Sequence, residues 1–213
     1  LKSLSVTGTG GFTGRSGDGA NILQQGTGSV TMNISGASGS TSGSGIFVRN
    51  TAIGGDIDVT TGAVTIANTV NNAVDVQSDS ADGDLTVRTN GAVSGGRTGL
   101  LAVHNGTGAL NVTANGNTSS DVFGINVQHN GSGTTNVIST GIATGADGNG
   151  ITISTEVDAA DVTLVAQDSF GGINGIVVIA GGSGATHITA NGNTTGAGGG
   201  GGDGIFARTG SVV

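Results

Sequence analysis

The sequence predicts an all-β protein: a right-handed single-stranded parallel β-helix of about eight rungs, each of about 26 residues and three short strands. Three observations predict it. First, a phrase recurs: GANILQQGTG, GIFVRNTAIG, GLLAVHNGTG, GINVQHNGSG and GIVVIAGGSG begin at Gly19, Gly45, Gly99, Gly124 and Gly175. Second, apolar and polar residues alternate inside each phrase and inside the run that follows it. That is period two, the pattern of a strand with one buried face. Third, the chain of 213 residues holds 45 Gly and no Pro. Such Gly density destabilises helices and serves the corners between short strands.

The elements follow in order. Leu4 and Val6 open the chain as inner residues of a first run. Ala20, Ile22 and Gln24 then form the inner set of the first phrase, and Val30, Met32 and Ile34 that of the run after it. Ile46, Val48 and Asn50 repeat the first set, and Ile57 and Val59 the second. The stretch Ala63–Val64–Thr65–Ile66 is a third, weaker strand that closes the rung. The next phrase is degenerate. Its expected Gly is replaced near Asn72 and Ala73, while Val74 and Val76 keep the inner positions. Leu85 and Val87 follow, then a closing segment at 91–94.

Leu100, Ala102 and His104 take the inner places of the next phrase, with Leu110, Val112 and Ala114 in the run behind it. Ile125, Val127 and His129 precede Val137 and a closing segment at 141–144. Ile151, Ile153 and Thr155 lead to Val162, Leu164 and Ala166. Ile176, Val178 and Ala180 lead to Ile188 and Ala190, and Ile205 and Ala207 end the set. The core ladder is therefore Ile22, Ile46, Val48, Leu110, Val112, Ile125, Val127, Val137, Ile151, Ile153, Ile176, Val178, Ile188 and Ile205. Gly36, Gly62, Gly91, Gly116, Gly141 and Gly192 fall just after the second strand. They are expected to take left-handed backbone and to let unbranched corners stack. Residues 1–213 form one β-helix segment, and both ends read as cuts inside a repeat of a longer chain. The glycine run 196–202 is expected to bulge as a loop on one corner.

One rung cannot stand alone. Burying a larger apolar side chain stabilises by ~1.5–3 kcal/mol, whereas ordering each residue costs ~1–2 kcal/mol. Stability comes from the stack, where each rung covers the face of the one before it.

Composition restricts function. The six Lys and Arg are scattered and the net charge is −8, which argues against a nucleic-acid partner. Cysteine is absent, so no disulfide framework or thiol chemistry is available. No apolar run is long enough for a transmembrane helix. The opening LKSLSVTGTGG has no apolar core and does not read as a signal peptide.

Candidate chemistry is sparse. His104 and His129 share a register. Read as function, stacked imidazoles hold a metal or respond to pH. Read structurally, they cap a strand end where Asn50 sits one repeat earlier. His187 points outward. Asp18, Asp82, Asp147 and Asp203 lie in Gly-rich corners and are weak calcium candidates, equally suited to accepting turn hydrogen bonds. No metal site is assigned and no cofactor is expected. Glu156, Asp158 and Asp161 form the best carboxylate cluster, the minimum for glycoside chemistry, but no Trp or Tyr offers a sugar-stacking surface. No catalytic residue is assigned, and the chain is read as no enzyme. Phe47, Leu101, Val177 and Phe206 share an outward column with Asn126. This column is either a shallow binding strip or a face covered by sequence outside the segment.

The paired phrases GIFVRN, GLLAVHN, GINVQHN and GDGIFART, and GDLTVRTNG, GALNVTANG and GATHITANG, resemble the passenger regions of bacterial autotransporters and related β-helical surface adhesins. The resemblance covers nearly the whole chain. It implies an exported rod at the bacterial cell surface or secreted, with a C-terminal outer-membrane β-barrel elsewhere in the parent chain. It also implies a role in virulence-associated adhesion. The partner would be a host surface or matrix component, or a second copy in self-association between bacteria. A purely structural spacer carrying a distant functional domain is the first alternative, and a β-helical polysaccharide lyase or hydrolase the second. The matched motifs are structural, so no functional residue is carried over.

Overall fold

The computed structural model describes residues 2–51, 53–156, 158–198 and 201–210. Rung 1 contains β1 (Leu4–Gly8), β2 (Thr13–Gly14) and β3 (Ala20–Gln24); rung 2 contains β4 (Val30–Ile34), β5 (Ser38–Ser40) and β6 (Ile46–Asn50). Rung 3 is β7 (Ile57–Thr61), β8 (Val64–Ile66) and β9 (Asn72–Ser78); rung 4 is β10 (Leu85–Thr89), β11 (Val93–Ser94) and β12 (Thr98–His104). Rung 5 is β13 (Leu110–Ala114), β14 (Thr118–Ser120) and β15 (Phe123–His129); rung 6 is β16 (Thr135–Ser139), β17 (Ala143–Gly145) and β18 (Ile151–Thr155). Rung 7 is β19 (Val162–Ala166), β20 (Ser169–Gly171) and β21 (Ile176–Ala180); rung 8 is β22 (Thr186–Ala190), β23 (Thr194–Gly196) and β24 (Ile205–Thr209).

The first strands of all rungs form sheet A, the second strands sheet B and the third strands sheet C, each eight-stranded. Neighbouring strands are parallel and in register: Leu85 pairs with Leu110, Val93 with Thr118, and Ile125 with Ile151. The chain is thus a right-handed parallel β-helix of eight three-stranded rungs. The longest step within sheet C joins Ile176 to Ile205, because the glycine run lies between β23 and β24. Gly201 and Gly202 there both donate to the carbonyl of Gly198. Gly199 and Gly200 lie outside the described residues.

The corner glycines work differently from the expectation of left-handed backbone. Among the described residues, positive φ occurs only at Gly95, Gly96, Gly201 and Gly210. At Gly116 a Cβ would come within 2.5 Å of the Gly91 carbonyl, and at Gly141 within 2.5 Å of the Gly116 carbonyl. The glycines stack backbone on backbone, one rung over the next. They are required by close approach between coils rather than by their dihedral freedom.

The predicted inner ladder lines the interior. Ile46, Val48, Ile125, Val127, Val137, Leu110, Ile151, Ile153, Ile176 and Val178 are fully buried; Val112 and Ile22 are nearly so. The ends depart from this. Ile188 is only partly buried, and Ile205 is 42% exposed, because rung 8 has no rung above it. Leu4, at the opposite end, is 38% exposed for the same reason. Polar residues also enter the interior: Ser78, Thr61, Thr89, His104, His129 and Asn50 are all completely buried.

Candidate functional site

Five of the 14 carboxylates hold one rung to the next by accepting from a backbone amide. Asp18 Oδ1 accepts from the Ser44 amide at 2.7 Å, Asp84 Oδ1 from Ala109 at 2.7 Å, Asp161 Oδ1 from Ala185 at 2.8 Å and Asp168 Oδ1 from Asn193 at 2.7 Å. Asp56 serves Asp84 in the same way at 3.0 Å. Asn50, Asn117, Asn149 and Asn174 use their amide oxygens identically, toward Asp79, Ile142, Asn174 and Asp203. A corner interrupts the strand ladder and leaves an amide unpaired. A short acceptor side chain one rung below supplies the missing partner.

The four calcium candidates are therefore dispersed. Asp18 precedes β3, Asp82 precedes β10, Asp147 precedes β18 and Asp203 precedes β24. Asp18 is committed to Ser44 and to the Asn21 amide at 2.7 Å. Among the described residues, no three His, Asp or Glu side chains gather into a group able to hold a metal ion.

The corner between sheets C and A carries a depression of about 360 Å³, lined by residues that include Asn105, Thr107, Asn130, Ser132, Glu156 and Asp158. A side-chain ladder runs along it. Asn105 Nδ2 donates to Asp79 Oδ1 at 2.6 Å, and Asn130 Nδ2 donates to Asn105 Oδ1 at 2.8 Å. Arg49 closes the lower end with an ion pair to Asp79 at 2.7 Å. Partial burial pushes the Asp79 carboxyl up, but the Arg49 and Asn105 hydrogen bonds and the Arg49 charge outweigh it and hold the group below its ordinary range. The upper end meets Glu156, which occupies the next place in this column, since its amide bonds to the His129 carbonyl as Asn130 does to His104. Glu156 and Asp158 are thus brought to one depression, while Asp161 is turned away to cap Ala185. The surface presents amides, hydroxyls and carboxylates, a set suited to hydroxyl-bearing or cationic ligands.

His104 and His129 lie inside the coil, both fully buried, with ring centroids 4.9 Å apart and planes tilted by 30°. They continue an interior column in which Asn50 pairs not with His104 but with the place of Ser78. Ser78 in turn precedes His104, and Thr155 follows His129. Asn50 therefore sits two rungs before His104, not one. His129 Nδ1 lies 2.8 Å from Thr135 Oγ1 and Nε2 lies 3.2 Å from the Gly106 carbonyl. A carbonyl only accepts, so Nε2 carries the proton and Nδ1 accepts from the Thr135 hydroxyl. Both nitrogens of His104 lack a hydrogen-bond partner. Burial drives both imidazoles below their ordinary value of 6.5. The backbone groups of Ser78 and Gly108 and the charge of Asp84 oppose this weakly at His104, without reaching good hydrogen-bond geometry. At His129 the Gly106 carbonyl opposes it and the His104 ring adds to it. His187 is exposed on sheet A.

Phe47, Leu101, Val177 and Phe206 do share one outward column of sheet C, but they do not form a continuous strip. The register places Asp75 between Phe47 and Leu101, and Asn126 and Thr152 between Leu101 and Val177. Only Val177 and Phe206 adjoin, and Val177 is 7% exposed. Asp75 is nearly buried there and accepts from Asn72 and Gln77 at 2.8 and 2.9 Å. Its burial outweighs those bonds and pushes the carboxyl above its ordinary value.

Sequence reading missed the Asp79–Asn105–Asn130 ladder. The signal was the Asn that ends GLLAVHN and GINVQHN. The similar Asn of GIFVRN hid it, because Asn50 falls one register place earlier and points inward. Comparison with family models, with curated proteins and with solved structures finds no match to this chain.

Proposed function

We propose that this segment is a rod module of an exported surface protein, and that it presents binding surface for adhesion or self-association. The observation that carries the reading is the set of three eight-stranded sheets, whose outward side chains repeat in register along the rod. Such a surface offers contacts along the whole rod to an extended partner, and the depression at the C–A corner adds a concave polar patch to it. The implied partners are a host matrix or surface component, a glycan, or a second copy of the chain. No helix among the described residues is long and apolar enough to cross a membrane. Export therefore rests on the resemblance of the repeat to autotransporter passengers.

A spacer role is the second reading. It is favoured by the commitment of Asp18, Asp84, Asp161 and Asp168 to capping and by the interrupted Phe47–Phe206 column. Solid-phase binding against matrix proteins, glycans and the immobilised chain itself decides between them. Adhesion predicts saturable binding to one of these. It also predicts weakening by Ser132→Ala with Asp158→Asn at the corner, or by Val177→Ser with Phe206→Ser on sheet C. Absence of binding to all three surfaces supports the spacer.

A further inference from the structure

Among the described residues the stacked histidines are the one pair of titratable groups in the interior, and nothing in a rod function requires them. The same column holds the apolar Ala180 two rungs beyond His129. His104 is the most costly member. It is fully buried and its two nitrogens bond to nothing, so even the neutral ring sacrifices hydrogen bonds. A proton on it creates a cation inside the coil whose nearest acceptors, the backbone groups of Ser78 and Gly108, lie outside good hydrogen-bond geometry. The next proton, on His129, sets a second charge 4.9 Å from the first. It also turns Nδ1 from an acceptor into a donor, so the Thr135 hydroxyl has to rotate to accept from it.

Little surrounds the pair to compensate. The ring of His104 faces the backbone of Ser78 and Gly108, and the charged side chain acting on it is Asp84. Asp84 already caps the Ala109 amide. The ring of His129 faces the Gly106 carbonyl, Thr135 and His104, and Thr155 lies beyond it in the column. The turn 105–109 lies against both rings, through the Gly106 carbonyl at His129 and the Gly108 backbone at His104. This turn links β12 to β13, contains Gly106 and Gly108, and supplies part of the wall of the C–A depression.

The geometry points to an acid-sensitive joint at the middle of the rod, in which protonation of His104 and His129 opens the C–A corner of rungs 4 and 5 while the neighbouring rungs stay closed. The joint does not depend on the adhesive reading, since a spacer would carry it equally. The sign follows from linkage. Both rings are held neutral in the folded coil and titrate lower than in the unfolded chain. Their contribution is complete above the ordinary value of 6.5, is lost as pH falls from there to the folded values, and levels off below them.

The test is hydrogen exchange of the whole chain at pH 7.5, 6.5 and 5.5, corrected for the intrinsic pH dependence of exchange. Protection over 98–114 and 123–134 should fall by up to about tenfold per pH unit per histidine below the ordinary value, with 30–50 and 162–180 unchanged. The loss should reverse on return to pH 7.5. A uniform loss across all rungs, or none, overturns the proposal. His104→Ser with His129→Thr uses residue types already found in the column and should abolish the pH dependence. Should that variant not fold, imidazole NMR of the native chain decides. His104 and His129 must titrate below the ordinary imidazole value of 6.5, and in step with the loss of protection; titration at that ordinary value refutes the joint. Asp75→Asn separates the nearby carboxyl. Loosening that persists in this variant supports the histidines, and loosening that disappears assigns the effect to Asp75 and overturns the proposal.

Discussion

Truncating one interior column at two heights tests the claim that each rung is stabilised by the rung stacked on it. Ile125 and Ile205 occupy the same inner column of sheet C, linked through Ile151 and Ile176. Ile125 is fully buried between Leu100 and Ile151, both also fully buried. Ile125→Ala removes three carbons worth about 0.8 kcal/mol each, or about 2.4 kcal/mol of transfer free energy. It also leaves an enclosed void that strand pairing on both sides prevents from collapsing, which brings the total into the range of about 3–4 kcal/mol. Ile205 is 42% exposed. Ile205→Ala removes the same carbons but only the buried share of their transfer energy, about 1.4 kcal/mol, and leaves no closed cavity. Urea unfolding followed by circular dichroism reads both, as a shift of midpoint at constant slope. Equal losses, or a greater loss at Ile205, would refute the stacking argument. They would mean that strand propensity rather than coverage by the adjacent rung sets the energy.

Other perturbations separate the remaining forces. Gly116→Ala places a methyl group within 2.5 Å of the Gly91 carbonyl and should cost at least about 1–3 kcal/mol, whereas Gly17→Ala meets open space and should leave the urea midpoint unchanged. Asp84→Ala removes the cap on the Ala109 amide and should lower stability by about 1 kcal/mol, against no measurable change for the exposed Asp58→Ala. Asp75 is raised by burial above its ordinary 3.8, so its charge in the folded coil costs stability at neutral pH and costs nothing once both states are protonated. Asp75→Asn should therefore be more stable than the native chain at pH 7 in thermal melts, with the difference closing as pH falls from the raised folded value toward 3.8.

The fold was legible because a stacked coil writes its geometry into the sequence at a fixed period. Val48, Ile125 and Ile153 are inward because alternation places them so, and the recurrence of their phrase places them above one another. Even the degenerate rung kept Val74 and Val76 at the inner positions. The candidate sites were less legible. Phe47 and Leu101 looked like neighbours because their phrases match, and the intervening rung contributed Asp75 from a phrase that does not. The Asn50 of GIFVRN and the Asn105 of GLLAVHN each end their phrase, yet one points inward and the other outward. The rungs differ in length, and a shift of one residue reverses the face of a strand.

By itself, the sequence determined which residues face the axis, how many rungs the segment holds and that its corners must be small, because these follow from periodicity and side-chain volume. Tertiary structure decided which corner glycine abuts which carbonyl, which carboxylate caps which amide, and that two imidazoles meet ring to ring in the interior. Those relations join residues about one rung apart. They depend on the length of every intervening turn, which local pattern does not specify.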